Sequence, residues 1–189
     1  MMIRFRELRM SDADQILKWR TSAEVTNFMT TDIDGDLGIQ RDWVKNSFLE
    51  KDYYHWIVTI DEQDVGLLNI TDLDLKKGTT SWGYYISEAD FLGLGAMIPP
   101  FLYNFLFTQL QIEKINVEVF ENNQKVILMH SLHGYVRESN LDRIIEKKGI
   151  RHKLLAMSLS SQDWSSKKAF QKLIAEFPMN LWVASPLKR

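Results

Sequence analysis

Residues 2–8, Met-Ile-Arg-Phe-Arg-Glu-Leu, alternate apolar and charged side chains with the period of two of a half-buried strand. Ser11 then stands where an N-cap belongs, ahead of Ile16, Leu17 and Trp19 at helical spacing. Beyond the polar stretch 30–38, Ile39, Trp43, Val44 and Phe48 fall on one face of a second helix, which predicts a helical pair laid over a sheet. Residues 53–60, 65–70 and 79–86 are rich in β-branched and aromatic side chains and are separated by polar turns at 61–64 and 74–78, the pattern of an antiparallel meander. A buried helix over 101–110, a strand over 114–120, a helix over 124–132 and further strand from Tyr135 give a β-α-β-α-β order. Lys148 and Gly149 punctuate a last hairpin between 142–146 and 152–159. Phe170, Leu173, Ile174 and Phe177 are spaced as an amphipathic helix before Pro178.

The pattern therefore predicts an α/β fold with a mixed, mostly antiparallel central sheet of about seven strands flanked by helices. It spans residues 1–162 as one domain, and 163–189 form a C-terminal helical extension packed on it. A chain of 189 residues, 45% of them hydrophobic, can bury one sizeable core and shows no internal repeat. The net charge of −2, with both signs interspersed, offers no basic field for nucleic acid. With no cysteine there is no disulfide, no thiolate metal site and no cysteine nucleophile. The N-terminus lacks the apolar core of a signal peptide and no stretch is read as a membrane span, so the expectation is a cytoplasmic protein without a membrane partner.

The segment Ser87-Glu-Ala-Asp-Phe-Leu-Gly93-Leu94-Gly95-Ala96 lies between a predicted strand and a predicted helix. There, backbone N–H groups and a helix dipole can receive a phosphate. Alone, the G-x-G fits a glycine-rich surface turn as well. Around it stand Trp82-Gly-Tyr-Tyr-Ile86, then Ile115-Asn-Val-Glu-Val-Phe120, then Asn123 with His130 and Gly134-Tyr135 at fixed distances behind. In that arrangement the sequence resembles the GNAT superfamily of N-acetyltransferases.

The resemblance implies acetyl-CoA as cosubstrate and no metal. It places the pyrophosphate on Gly93, Leu94, Gly95 and Ala96, the pantetheine arm along the strand with Tyr85 and Ile86, and Asn123 at the start of the next helix near the cofactor. The family's basic or glutamine residue three positions before the first glycine is Asp90 here. His130, seven residues after Asn123, occupies the position of the family's tyrosine that protonates the leaving thiolate, work a histidine can do near neutral pH. His130 and His133 equally read as ordinary helix residues, and no carboxylate or cysteine set completes a metal site with them. With no cysteine, the acceptor amine attacks the thioester directly, and N–H groups of strand 82–86 stabilise the oxyanion. Glu118 could relay the amine's proton through water, although its alternation with Val117 and Val119 equally suits a solvent-facing strand residue.

Leu17-Lys-Trp19-Arg20, Val25, Met29 and Trp43 are similar to the acetyltransferases that modify the 4-amino group of UDP-linked 4-amino-4,6-dideoxy sugars in pseudaminic acid biosynthesis. Weaker similarity runs from Met2 to Trp164. That branch implies Arg20 on the UDP diphosphate and Met29 and Trp82 around the sugar or base, with an exposed helix arginine as the alternative for Arg20. It leaves the association state open between monomer and homodimer. The ribosomal-protein N-terminal acetyltransferases are also similar in their early helices, so a peptide α-amine is the alternative acceptor. A non-catalytic acetyl-CoA-binding module is the alternative from another class.

Overall fold

The computed structural model describes residues 1–179. The meander forms as read: β1 (Ile3–Glu7), β2 (Tyr54–Ile60), β3 (Gln63–Asp74) and β4 (Thr79–Ile86) pair in order, all antiparallel. The β2–β3 turn is tight, with Asp61 and Glu62 both at positive φ, 47° and 71°, the two-residue turn whose twist suits a hairpin. Gly66 sits where β3 lies closest to β4, since a Cβ there would fall 2.0 Å from the Tyr85 carbonyl oxygen. β5 (Lys114–Phe120) joins β4 in parallel and β8 (Ile150–Ser160) in antiparallel register. The far edge of β8 is shared by the two-residue strand β6 (Val136–Arg137) and by β7 (Arg143–Lys147), making eight strands. Lys148 and Gly149, at φ 51° and 73°, turn β7 into β8 where the hairpin is predicted.

Helices α1 (Ala13–Thr21), α2 (Ala23–Thr26) and α3 (Leu37–Ser47) cover one face of the sheet through Ile16, Trp19, Val25 and Val44, packed on Ile57, Leu67 and Tyr85. Ser11 does not cap α1. Asp12 precedes that helix, and its carboxylate is spent on the Arg9 N–H at 2.8 Å and on Arg6 at 2.8 and 2.9 Å. α3 is capped by Asp36, which accepts from the Ile39 N–H. Of the expected face of α3 only Val44 is buried, together with Gln40, whereas Ile39, Trp43 and Phe48 stay exposed.

The other face carries α4 (Pro99–Thr108), α5 (Gln124–His133) and the short α6 (Ser161–Ser165) over the main core. α4 starts at its two prolines, two residues earlier than read, because fixed φ and a missing N–H suit the first helical turn. Ala89–Thr108 is, by length and composition, apolar enough to cross a membrane, contrary to the sequence expectation. It is a 3₁₀ stretch followed by α4, and Ile98, Leu102, Tyr103 and Leu106 are wholly buried among core residues, the placement of a core helix. The amphipathic helix expected over 170–177 does not form. After a 3₁₀ turn at Lys168–Phe170 the chain is irregular to Met179, with Ile174 74% exposed. Part of the expected extension, 180–189, lies outside the described residues.

Candidate active site

β4 and β5 pair over only three positions, Thr79 with Lys114, Thr80 with Ile115 and Ser81 with Asn116. Each then follows its other neighbour: β4 stays registered with β3 to Ile86, and β5 with β8 to Phe120. The facing edges of 82–86 and 117–120 are thus left without a strand partner, a wedge that an extended amide-bearing chain can enter by adding backbone hydrogen bonds. Tyr85 and Ile86 lie on its β4 side. Asn123 stands at its far end as the N-cap of α5, its Oδ1 accepting from the Val126 N–H at 3.4 Å.

The glycine segment departs from expectation. Gly93, Leu94, Gly95 and Ala96 lie in the 3₁₀ stretch Ala89–Met97, and neither glycine has positive φ. A Cβ on Gly93 would meet nothing within 4 Å, and one on Gly95 would make an ordinary 3.4 Å contact with the Tyr84 hydroxyl. That hydroxyl, which no motif in the sequence marks, donates to the Gly95 carbonyl at 3.3 Å and lies 3.4 Å from Met129 Sδ, so it spans the glycine segment and α5; burial pushes its pKa up to about 12. The only hint of it was the doubled tyrosine after Trp82-Gly83.

His130 is buried edge-on against Trp82, with ring centroids 5.8 Å apart, and lies 4.6 Å from the Tyr135 ring. Its Nδ1 has no hydrogen-bond partner. Burial, with a smaller contribution from His133, pushes its pKa down to about 3, so the imidazole is uncharged at neutral pH. An acid near neutral pH would need the opposite shift, one that favours the imidazolium form. Trp82 is likewise a core residue, its Nε1 donating to Tyr135 Oη at 2.8 Å, which leaves its N–H unavailable to a sugar or base. Glu118 points to the opposite side of β5, where both carboxylate oxygens accept from Arg143 at 2.6 Å. A relay through Glu118 would require this two-point ion pair with Arg143 to open.

On the α1 side, Arg20 is not the exposed helix arginine of the alternative reading. Its Nη2 donates to the Thr31 carbonyl and hydroxyl oxygens at 3.1 and 3.2 Å, while buried Nη1 has no partner. The Tyr85 hydroxyl, also buried and unpartnered, is near enough for the two groups to interact electrostatically. Desolvation lowers the Arg20 pKa, and Tyr85 and Asp32 oppose that. Met29 packs against the core on this face of the sheet, to which Tyr85 belongs. The hairpin β7–β8 closes over the same loop: Lys147, its side chain 9% exposed, donates to the Thr26 and Met29 carbonyls at 2.5 and 2.9 Å and pairs with Asp32. No sequence signal announces contacts between residues more than a hundred positions apart. Among the described residues no group of three or more His, Asp or Glu side chains could hold a metal ion.

A sheet that splits beside a glycine segment, with one helical layer on each face, defines a GNAT acetyltransferase. Residues 3–135 match the family described as "Acetyltransferase (GNAT) domain", and the chain belongs to that family. It is an acetyltransferase that takes acetyl-CoA as cosubstrate and an amine as acceptor. Among its relatives, the SPbeta prophage-derived uncharacterized N-acetyltransferase YokL of Bacillus subtilis (strain 168) is 30% identical over 128 residues, 66% of this chain and 71% of that protein. Acetyltransferase PseH of Campylobacter jejuni is 24% identical over 127 residues, 67% and 78% of the two chains. In fold it is similar to spermidine N-acetyltransferase from Vibrio cholerae solved with CoA and spermine, at a TM-score of 0.78 and 15% identity over 86% of this chain and 98% of that one.

Proposed function

We propose that this enzyme acetylates the amine of a small acceptor that also carries anionic oxygen, and that the acceptor is a UDP-linked 4-amino-4,6-dideoxy sugar. The observation that carries the reading is the unpartnered pair Arg20 Nη1 and Tyr85 Oη. Two buried donors without an acceptor are costly unless a ligand oxygen completes them, and a guanidinium matches a phosphate in shape and charge. The resemblance of Leu17-Lys-Trp19-Arg20, Val25, Met29 and Trp43 to the acetyltransferases of UDP-linked 4-amino sugars supports the sugar-type acceptor. The spermidine acetyltransferases that share the fold support a polyamine instead, but a polyamine would bring only positive charge to a buried guanidinium. Asp32, whose charge favours that of Arg20, is already shared by Lys147 and Lys148.

In this reading the thioester lies in the wedge, and the acceptor amine attacks its carbonyl carbon. N–H groups of the unpaired edge 82–86 receive the developing oxyanion. With Glu118 committed to Arg143, the amine loses its proton to water, so the rate follows the acceptor's own titration. A thiol has a pKa of about 8.5, so its thiolate leaves without a strong acid, and uncharged His130 serves as an N–H hydrogen-bond donor at most. Replacing His130 by Ala is therefore expected to lower kcat by less than about tenfold, short of the hundredfold or more typical of a lost general acid. The pH profile of the variant should run parallel to the parent's. A limb near pH 6.5 that disappears in His130→Ala would restore an acid role to the residue.

Initial rates with three acceptors test the proposal: the UDP-4-amino sugar, spermidine and a ribosomal-protein N-terminal peptide. The sugar nucleotide is expected to win, and Arg20→Met should raise its KM by about 10- to 100-fold, the worth of a charged hydrogen bond, at unchanged KM for acetyl-CoA. Faster turnover of spermidine or of the peptide, unaffected by Arg20→Met, would overturn it.

A further inference from the structure

We infer that the donor site recognises the pantetheine thioester arm of its cosubstrate and takes little from the nucleotide end, so that thioesters of 4′-phosphopantetheine and of pantetheine serve nearly as well as the coenzyme A ester. The inference rests on the acetyl-CoA reading of the wedge and extends it to the class of donor accepted.

A helix normally offers four free N–H groups at its N-terminus, and these with the positive end of the dipole make an anion site. At α4 none of the four is free. Pro99 and Pro100 have no N–H, the Ile98 N–H is held by the Gly95 carbonyl at 3.2 Å, and that of Phe101 by the Ile98 carbonyl at 3.2 Å. Charge is equally unfavourable to a polyanion. From Gly78 to Glu113 the chain has no Lys, Arg or His, while it carries Glu88, Asp90 and Glu113. Asp90 is exposed and lies within the segment that would face the pyrophosphate. Of the cations on neighbouring elements, Lys167 already donates its ammonium to the Leu132 carbonyl at 2.9 Å. Lys125, in the first turn of α5, is exposed and acts only through salt-screened water. The wedge, by contrast, keeps both unpaired strand edges. The two amides of a pantetheine arm can add to them as an extended chain adds to a sheet edge.

The test is calorimetric titration of the full chain with coenzyme A, 4′-phosphopantetheine and pantetheine, each at about 50 and about 300 mM salt. The three dissociation constants are expected to agree within about tenfold, and that of coenzyme A to change by less than about threefold between the two salts. Adenosine 3′,5′-bisphosphate should not displace pantetheine. Asp90→Arg, a surface change, should tighten coenzyme A and leave pantetheine unchanged. Binding of coenzyme A more than about 100-fold tighter than pantetheine, with a steep loss in salt, would overturn the inference while leaving the acetyl-CoA reading intact. Failure of all three thiols to bind would overturn both.

Discussion

Phe177→Ala is expected to destabilise the protein by about 3–5 kcal/mol, the range for an aromatic removed from a packed core. Phe177 lies beyond the last regular helix, yet its ring stacks on Phe5 at 4.2 Å and on Phe105 at 4.7 Å and meets Trp56 edge-on at 5.2 Å. The next residue fixes that position, since the Pro178 carbonyl accepts from Trp56 Nε1 at 2.8 Å. Upstream, Asn104 ties the same segment to α4: its Nδ2 donates to the Phe170 and Leu173 carbonyls at 2.8 Å, and its Oδ1 accepts from Trp164 Nε1. Residues 163–179 thus complete the core over β1, β2 and α4. Truncation to Ala leaves a cavity bounded by three aromatic rings and a strained polar anchor beside it. Urea unfolding of parent and variant measures the loss. A difference under about 0.5 kcal/mol, the scale of a surface change, would show that the segment only rests on the domain.

What the sequence conveyed and what it hid divide along the range of the interactions. β2, β4 and the Lys148-Gly149 turn are decided by side chains within a few residues, and they form where the pattern puts them. Phe170, Leu173 and Phe177 have helical spacing too. Their backbone is claimed instead by Asn104 and Trp56, 66 to 122 residues away in sequence, and those bonds are incompatible with a continuing helix. α3 departs from the expected burial for a related reason. Its outer residue Trp43 finds His55 across the surface, at 4.9 Å between ring centroids, so an apolar side chain satisfied there need not mark the buried face. The glycine segment carried two conflicting signals, the glycines and the prolines behind them, and the prolines decided the availability of donors. The pairing of Arg20 with Tyr85, like the closure of Lys147 on the Met29 loop, joins residues from separate elements, and no local pattern encodes it.

Stability is expected to fall steeply as the pH drops from 6.5 towards 4, because three of the four histidines are held uncharged in the fold. Burial pushes His130 down to about 3 and His55 to about 4. His133 is likewise at about 4, lowered first by burial and then by Lys167, against a hydrogen bond with the Ala96 backbone that raises it. In the unfolded chain each returns to about 6.5. Between those values the unfolded state binds more protons than the native one, so stability rises with pH across the window and is flat, for these groups, above it. At pH 5 each histidine contributes a loss of about 2 kcal/mol, and the three together about 6, against a total of about 5–15 for a domain of this kind. Acid unfolding with a midpoint between about pH 4 and 5 is the expected result, well above the range in which paired carboxylates alone would fail. Unfolding free energies at pH 7.5, 6 and 5 give the slope directly, and His130→Gln should remove about a third of it whatever it does to stability at pH 7.5. A native imidazole resonance assigned to His55, His130 or His133 that titrates near pH 6.5 would overturn the account, since a histidine that charges freely in the fold has no proton left for unfolding to take up.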